Sequence, residues 1–157
     1  MDAFWSVAKG SAEPPRMVEM IWEGKTGSEN GKTFCLVGKG VTFDSGGISI
    51  KPSANMGDMR ADMGGAAVTL AAMKAIAQLN LPGRVVALTP LAENMPSSTA
   101  SKPGDVVTAR NGKTIQIDNT DAEGRLLLCD TLGLLIFTTI GALESFQPFV
   151  APLIRSI

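Results

Sequence analysis

The sequence predicts an α/β domain in which parallel strands are joined by a helix. Three consecutive segments indicate this: a strand-like pattern over Thr33–Val37, apolar residues at helical spacing over Gly65–Leu79, and a continuous apolar run over Val85–Leu88. A short apolar run is typical of a strand covered on both faces, and strand, helix, strand is the order of a βαβ unit. With 157 residues, 45% of them hydrophobic, the chain can form one domain with a substantial core.

The first elements follow from local signals. Met17–Trp22 reads as a strand, and the polar, glycine-containing segment Gly24–Lys32 predicts a loop before the strand at Thr33. Gly38–Gly47 is predicted to be a loop as well. The helix over Gly65–Leu79 should stop at Pro82-Gly83, since this dipeptide interrupts the apolar pattern.

The second half of the chain contains a hairpin signal. Asn111-Gly112 lies between Asp105–Arg110 and Lys113–Asp118, and this dipeptide favours a tight turn between two antiparallel strands. The proline- and serine-rich segment Asn94–Gly104 predicts a loop before the hairpin. Leu126–Leu135 is predicted to be a helix, and the closing segment with its two prolines should be irregular or extended.

Composition excludes several classes of function. A net charge of −1 and a pI near 5.4 give no broad basic field, so neither nucleic acid nor an anionic membrane is an expected partner. The longest uncharged apolar stretch, Thr131–Leu143, is shorter than the roughly 20 residues that a membrane-spanning helix requires. The first residues do not resemble a secretory signal, and two cysteines in a chain of this size favour a reducing compartment. The expected location is the cytoplasm.

The chain contains no histidine, which removes the commonest general base and the commonest transition-metal ligand. Any chemistry must therefore use carboxylates, amines or bound solvent. Charged residues are concentrated in two short, glycine-containing blocks. These residues are Lys39, Asp44, Lys51, Arg60 and Asp62 in the first block and Asp121, Glu123 and Arg125 in the second.

Four of these residues are carboxylates, which are costly to gather in one place unless a cation neutralises them. Asp121 and Glu123 are two positions apart, so they share one side only in extended backbone, and we expect the pair just before a helix. A combined charge of −4 would balance two divalent cations, and oxygen ligands suit zinc, manganese or magnesium. Two such ions can activate a bridging water, and this arrangement is typical of enzymes that catalyse hydrolysis.

Simpler interpretations remain open at this point. The acids could be helix caps or surface pairs, since Asp121 follows two other capping residues and Asp62 precedes a predicted helix. A lysine could be solvated, could bind metal as a neutral amine, or could stay charged and stabilise an oxyanion. A carboxylate site could also hydrolyse phosphoesters. A phosphate loop is not indicated, because neither glycine-rich nucleotide motif is present.

Longer motifs resemble the leucine aminopeptidase family of dinuclear-metal cytosol aminopeptidases. They are VGKGVTFDSGGISIKP, MRADMGGAA, PLAENMPSSTASKPGDV and ARNGKTIQIDNTDAEGRL, in the family's order, and the opening SVAKGSAEPP is similar too. The resemblance extends from about Ala3 to Leu132. It implies a mixed sheet flanked by helices, as in the first half of that family's catalytic domain.

The resemblance also implies roles for individual residues. The metal ligands would be Lys39, Asp44, Asp62, Asp121 and Glu123, with Lys51 and Arg125 as the catalytic pair. The arginine would hold a bicarbonate acting as general base, Met59 would line the pocket for the substrate's N-terminal side chain, and Asn119 would lie beside the ligands. The implied reaction removes the N-terminal residue from a peptide with a free N-terminus, and the implied assembly is a homo-oligomer, a hexamer in the family.

The family pattern stops after Leu132, which predicts a partial catalytic domain over residues 1–132 and a divergent apolar tail over residues 133–157. The family's N-terminal domain and the later strands and helices of its catalytic domain have no counterpart in these 157 residues. Two functions therefore stay open: an aminopeptidase, impaired where the domain is incomplete, or a noncatalytic metal-binding or subunit-interaction chain of the same family.

Overall fold

A computed structural model of the chain describes residues 1–25 and 33–140, with side chains up to Ile136. Most of the predicted loop over Gly24–Lys32 and the closing segment therefore lie outside the described residues. The elements are α1 (Asp2–Ala8), β1 (Arg16–Glu23), β2 (Thr33–Val37), β3 (Gly40–Asp44), a 3-10 helix (Met56–Ala61), α2 (Gly64–Gln78), β4 (Arg84–Asn94), β5 (Val106–Thr108), β6 (Thr114–Gln116) and α3 (Glu123–Ile140).

The main sheet has four strands arranged around β4. Strand β1 pairs with it in antiparallel register along one edge. Along the other edge, β2 pairs in parallel with the first half of β4 and β3 pairs in parallel with its second half. The predicted α/β class is therefore confirmed as a mixed sheet flanked by helices. The parallel pairing of β2 and β4, with α2 between them in sequence, confirms the predicted βαβ unit.

Strand β4 is longer than its apolar run suggested. The prediction covered Val85–Leu88, whereas the strand extends from Arg84 to Asn94. The prediction that Gly38–Gly47 is a loop was wrong, because Gly40–Asp44 forms β3. Both differences have one cause: β3 and the second half of β4 satisfy each other's backbone hydrogen bonds, and this long-range pairing overrides a local sequence rich in glycine and turn residues.

The helices follow their apolar patterns. Helix α2 begins one residue before the predicted helix, and α3 contains the predicted one but begins at Glu123 and extends to Ile140. Helix α1, which the sequence analysis did not predict, packs Phe4 and Val7 against Leu127 of α3 in the main core cluster. The short strands β5 and β6 confirm the hairpin around Asn111-Gly112.

This topology brings the two charged blocks together. Strands β3 and β4 point the same way and end side by side at the register pair Asp44 and Asn94. The loop before α3 packs against this carboxyl end, which is where open α/β sheets bind ligands. Cys35 and Cys129 are both free thiols in this structure. Within the described part of the chain, none of the helices has the length and apolarity needed to cross a bilayer.

Candidate metal centre

Asp44 occupies the last position of β3 and is 2% exposed. Its Oδ1 accepts hydrogen bonds from the backbone N–H of Gly46 at 2.9 Å and from Nδ2 of Asn94 at 2.8 Å. These two donors fix the carboxylate and leave Oδ2 facing Lys51, whose Nζ lies 3.0 Å away. A buried carboxylate held in this way is oriented before any ligand arrives.

The loop after β3 and the loop before α3 are joined by reciprocal hydrogen bonds. Thr120 Oγ1 donates to the carbonyl of Gly46 at 2.6 Å and accepts from the N–H of Ser49 at 2.8 Å. The N–H of Thr120 in turn donates to Ser49 Oγ at 3.1 Å. Gly46 has a φ of +88°, and a Cβ there would lie 2.4 Å from the Ser49 carbonyl and 3.1 Å from Asp121 Oδ1. Only glycine allows the two loops to approach this closely.

Three carboxylates converge where these loops meet. Asp44, Asp121 and Glu123 each place one oxygen within 4.8 Å of the others. Asp121 lies just before α3, as predicted, whereas Glu123 is the first residue of the helix itself. The unpaired backbone N–H groups of the first helical turn favour a carboxylate at this position.

Two lysines bridge the carboxylates in pairs. Lys51 Nζ lies between Asp44 and Asp121 and contacts both. Lys39 Nζ lies 2.7 Å from Asp62 Oδ2 and 2.7 Å from Glu123 Oε1. The family resemblance implies one site that contains the four carboxylates and the two lysines, and the structure brings these six side chains together.

The environment of this cluster shifts the pKa of three of its groups, which are Lys39, Lys51 and Glu123. Burial by itself would lower the pKa of Lys39, but the hydrogen bonds and charges of Asp62 and Glu123 outweigh it and raise that pKa. The same balance between burial and two carboxylates raises the pKa of Lys51. Burial raises the pKa of Glu123, and the nearby charge of Asp44 adds to this, although the hydrogen bond from Lys39 opposes it. Both lysines are therefore held as ammonium ions in this geometry.

Asp62 does not cap a helix, which was the simpler interpretation of its position. Helix α2 begins after Met63 and has no side-chain cap. The Asp62 carboxylate turns instead toward Lys39, with Oδ1 accepting from Nζ at 2.8 Å. Gly124 leaves space for this lysine, since a Cβ at that position would lie 3.1 Å from Lys39 Cδ and Cε.

The remaining candidate residues lie around the cluster. Arg125 is exposed, and its Nε donates to the carbonyl of Ala122 at 3.4 Å. It lines a shallow depression beside β6, together with Asn119. Asn119 is exposed and accepts a hydrogen bond from the N–H of Asp121 at 2.8 Å. Met59 is half-buried in the 3-10 helix that precedes Asp62.

Sequence reasoning assigned no role to Asn94 or Thr120. Both are buried, at 4% and 6% exposure, and both hydrogen bond across the two loops of the site. Asn94 was assigned to a loop, although it is the polar residue that ends a long apolar strand. A polar residue at that position of a buried strand is the signal that could have identified it.

The donor set fits divalent cations. Carboxylate oxygens are ligands that magnesium and manganese prefer and that zinc accepts, and three of them already lie within reach of one ion. The two ammonium groups lie between carboxylates, which shows that the cluster accommodates positive charge at two positions. The fold and site thus define an α/β protein with a cluster of carboxylates, a candidate cation site, at the carboxyl end of its parallel strands.

A comparison with known protein families identifies the family of this chain. The model of the cytosol aminopeptidase family, catalytic domain, matches residues 1–139. This chain belongs to the cytosol aminopeptidase family.

Individual relatives are closely similar over the same region. The human cytosol aminopeptidase is 61% identical over 132 residues, which cover 84% of this chain and 25% of that protein. The enzyme of Dictyostelium discoideum is 59% identical over 133 residues, again covering 84% of this chain and 25% of the relative. The chain thus spans about a quarter of the length of the curated relatives it matches.

Solved structures give the same result at the level of the fold. The bottromycin maturation enzyme BotP in complex with Mn superposes with a TM-score of 0.77 at 51% sequence identity. The superposition covers 83% of this chain and 28% of the BotP chain. A second BotP structure gives a TM-score of 0.72 at 50% identity.

Proposed function

We propose that this chain carries the dinuclear metal site of an aminopeptidase that hydrolyses the N-terminal peptide bond of peptides. The observation that carries the proposal is the convergence of Asp44, Asp121 and Glu123 within 4.8 Å, with Lys39 and Lys51 bridging the carboxylates around them. Membership in the cytosol aminopeptidase family supports the reaction class. The Mn named with BotP supports a divalent cation as cofactor.

The proposed ligands are Lys39, Asp44, Asp62, Asp121 and Glu123, and Lys39 would bind as a neutral amine after losing the proton that it holds in the metal-free structure. When bound, two divalent ions supply a polarised water and polarise the scissile carbonyl. Zinc, manganese and magnesium all suit these donors. The end of β3 and the first turn of α3 position Asp44 and Glu123, and cation binding would replace the ion pairs that Lys39 and Lys51 make with the carboxylates.

Lys51 is the proposed donor to the oxyanion that forms when water attacks the peptide carbonyl. Its ammonium form can donate to an oxyanion, and in the metal-free structure Asp44 and Asp121 raise its pKa. Arg125 is the proposed second catalytic residue. Its exposed guanidinium has the planar donor arrangement that binds a small carboxylate-like anion such as bicarbonate. Such an anion would supply a base that a chain without histidine lacks.

Met59 and Asn119 are the proposed substrate contacts. Asn119 shares the depression of Arg125, and Met59 lies in the element that leads to Asp62. We further propose a cytoplasmic location, which the name of the family supports, and a homo-oligomeric assembly.

Hydrolysis of a leucine amide by the purified chain with added Mn²⁺ or Zn²⁺ tests this function. Release of leucine should depend on the metal and should be lost in Asp121→Ala and in Glu123→Ala. The matched control is Glu13→Ala, because Glu13 is an exposed carboxylate that belongs neither to the carboxylate cluster nor to the depression of Arg125. Metal-independent release, or release that survives both ligand substitutions, would refute the proposal.

A second candidate is a noncatalytic chain that binds metal or joins subunits of the same family. Large exposed apolar side chains favour it, among them Phe34 at 68% on β2 and Val68 at 70% and Leu79 at 69% at α2. Metal binding without leucine release by soluble protein would favour this candidate, as would co-assembly with a full-length family member. Phosphatase activity without peptidase activity would favour a phosphoester hydrolase instead.

A further inference from the structure

Asn94 is the buried residue that connects both charged blocks at the site. It ends β4, next to the end of β3, and is 4% exposed. Its side-chain Nδ2 donates to Asp44 Oδ1 at 2.8 Å and to the backbone carbonyl of Thr120 at 3.1 Å. One amide group therefore contacts a proposed ligand and the residue immediately before another, Asp121.

The orientation of this amide is fixed by its partners. A carboxylate and a backbone carbonyl can only accept hydrogen bonds, so the side chain must direct its NH₂ group toward both. The backbone carbonyl of Asn94 is also engaged, since it accepts from the N–H of Ser45 at 3.0 Å and from Ser45 Oγ at 2.7 Å. The residue has little freedom to turn away from the site.

The loops leave space for this side chain. Gly47, with a φ of +69°, lies against Asn94, and a Cβ there would come within 2.9 Å of Asn94 Oδ1. The two donor bonds of Asn94 thus join the end of β3 to the loop before α3. The distance between Asp44 and Asp121 therefore depends on both of these hydrogen bonds.

We propose that Asn94 is a positioning residue for the cation centre, which holds Asp44 and the Thr120–Asp121 backbone at the separation that cation binding requires. This inference rests on the proposed function. Asn94 would act through Asp44. Its side chain donates a hydrogen bond to Asp44 Oδ1, while Asp44 Oδ2 faces Lys51 in the cluster. Residues that hydrogen bond to metal ligands orient those ligands, and removing one typically weakens metal affinity about 10- to 100-fold.

The test is calorimetric titration of the full chain with Mn²⁺ in the wild type, Asn94→Ala and Asn94→Asp. Both variants should bind Mn²⁺ about 10- to 100-fold more weakly than the wild type. The Ala variant removes both donors, and the isosteric Asp variant replaces the donor with an acceptor against Asp44. The Asp variant keeps the shape of the side chain, so it reports on positioning even where the Ala variant folds poorly.

The matched control is Thr89→Val, five residues earlier on β4. Thr89 is fully buried, and its Oγ1 has no hydrogen-bond partner among the described residues. Thr89→Val and the two Asn94 variants each alter a buried polar group of β4. Only the Asn94 variants should change the affinity for Mn²⁺. Thermal unfolding with EDTA separates the effects, since a purely structural role lowers the melting temperature without weakening Mn²⁺ binding by the folded protein.

The outcomes distinguish the two proposals. Wild-type affinity in a folded Asn94 variant overturns the positioning role and leaves the proposed function intact. Equal weakening in Thr89→Val also overturns it, because the effect would then belong to the strand in general. A wild type that binds no Mn²⁺ overturns the cation centre itself and the positioning role with it.

Discussion

The two lysine-bridged halves of the site are built differently. In the strand half, Lys51 lies between Asp44 and Asp121, and Asp44 is fixed by the end of β3, by Gly46 and by Asn94. In the helix half, Lys39 lies between Glu123 and Asp62, and Asp62 follows a short 3-10 helix.

Each half pairs a buried carboxylate with a partly exposed one, Asp44 with Asp121 and Glu123 with Asp62, so the contrast in burial lies between Asp44 and Asp62. The Asp44 side chain is 3% exposed and that of Asp62 is 22% exposed. Asp44 therefore owes its orientation to the sheet and to two hydrogen bonds, whereas Asp62 depends more on its ion pair with Lys39. Cation binding should then require more rearrangement around Asp62 than around Asp44.

The largest expected effect is on folding stability at Asp44. Asp44→Ala removes an ion pair from Lys51 and an acceptor from two donors, so it should lower the free energy of unfolding by about 3 kcal/mol. Asp62→Ala should cost about 1 kcal/mol, because its partner and its own side chain are more exposed. Urea unfolding with EDTA measures both. Equal losses would show that the sheet does not stabilise the strand half preferentially.

A smaller effect is expected for Lys51→Met, which leaves Asp44 and Asp121 facing each other. The loss should be about 2 kcal/mol at pH 7, less than for a fully buried pair because the Lys51 side chain is 21% exposed. The pKa of Lys51 is raised in the folded state, so its stabilisation is complete below the ordinary value of 10.5 and is lost as pH rises above it. The difference between wild type and variant should therefore shrink between pH 10 and pH 12.

Urea unfolding at several pH values checks this dependence, with Lys113→Met as the control because Lys113 is exposed on the hairpin. A difference that is constant across the whole range would mean that charge is not the cause.

The smallest effect is expected for Glu123→Gln in the helix half. The folded state raises the pKa of Glu123, so its ionised form costs stability at pH 7 and a neutral isostere relieves that cost. The metal-free variant should be more stable by less than about 1 kcal/mol. It should nevertheless lose Mn²⁺ binding, since it lacks a ligand charge. A clear loss of metal-free stability would show that the pair with Lys39 outweighs burial.

Much of the site could be predicted because its charged residues lie in two short segments of the sequence. The two glycine-rich blocks, the missing histidines and the family motifs identified every carboxylate and lysine that converges in the fold. The βαβ unit and the hairpin were also predictable, since each depends on periodicity or on a turn dipeptide within a short window.

Other features had no local signal. Strand β3 was predicted to be a loop because its pairing partner is about 50 residues away on β4. Asn94 received no role because its importance depends on Asp44 and Thr120, which are 50 and 26 positions distant. Asp62 could equally have been a helix cap until its carboxylate was seen to face Lys39.

The sequence by itself determined the class of fold, the family and the charged groups available for chemistry, since these depend on residue types and on short-range spacing. Only the tertiary structure decided which carboxylates share a lysine and which residues hold them in place. The physical reason is that ion pairs and buried hydrogen bonds depend on distances of a few ångströms between segments far apart in the chain. Those distances are set by the pairing of β3 with β4 and by the packing of the loop before α3.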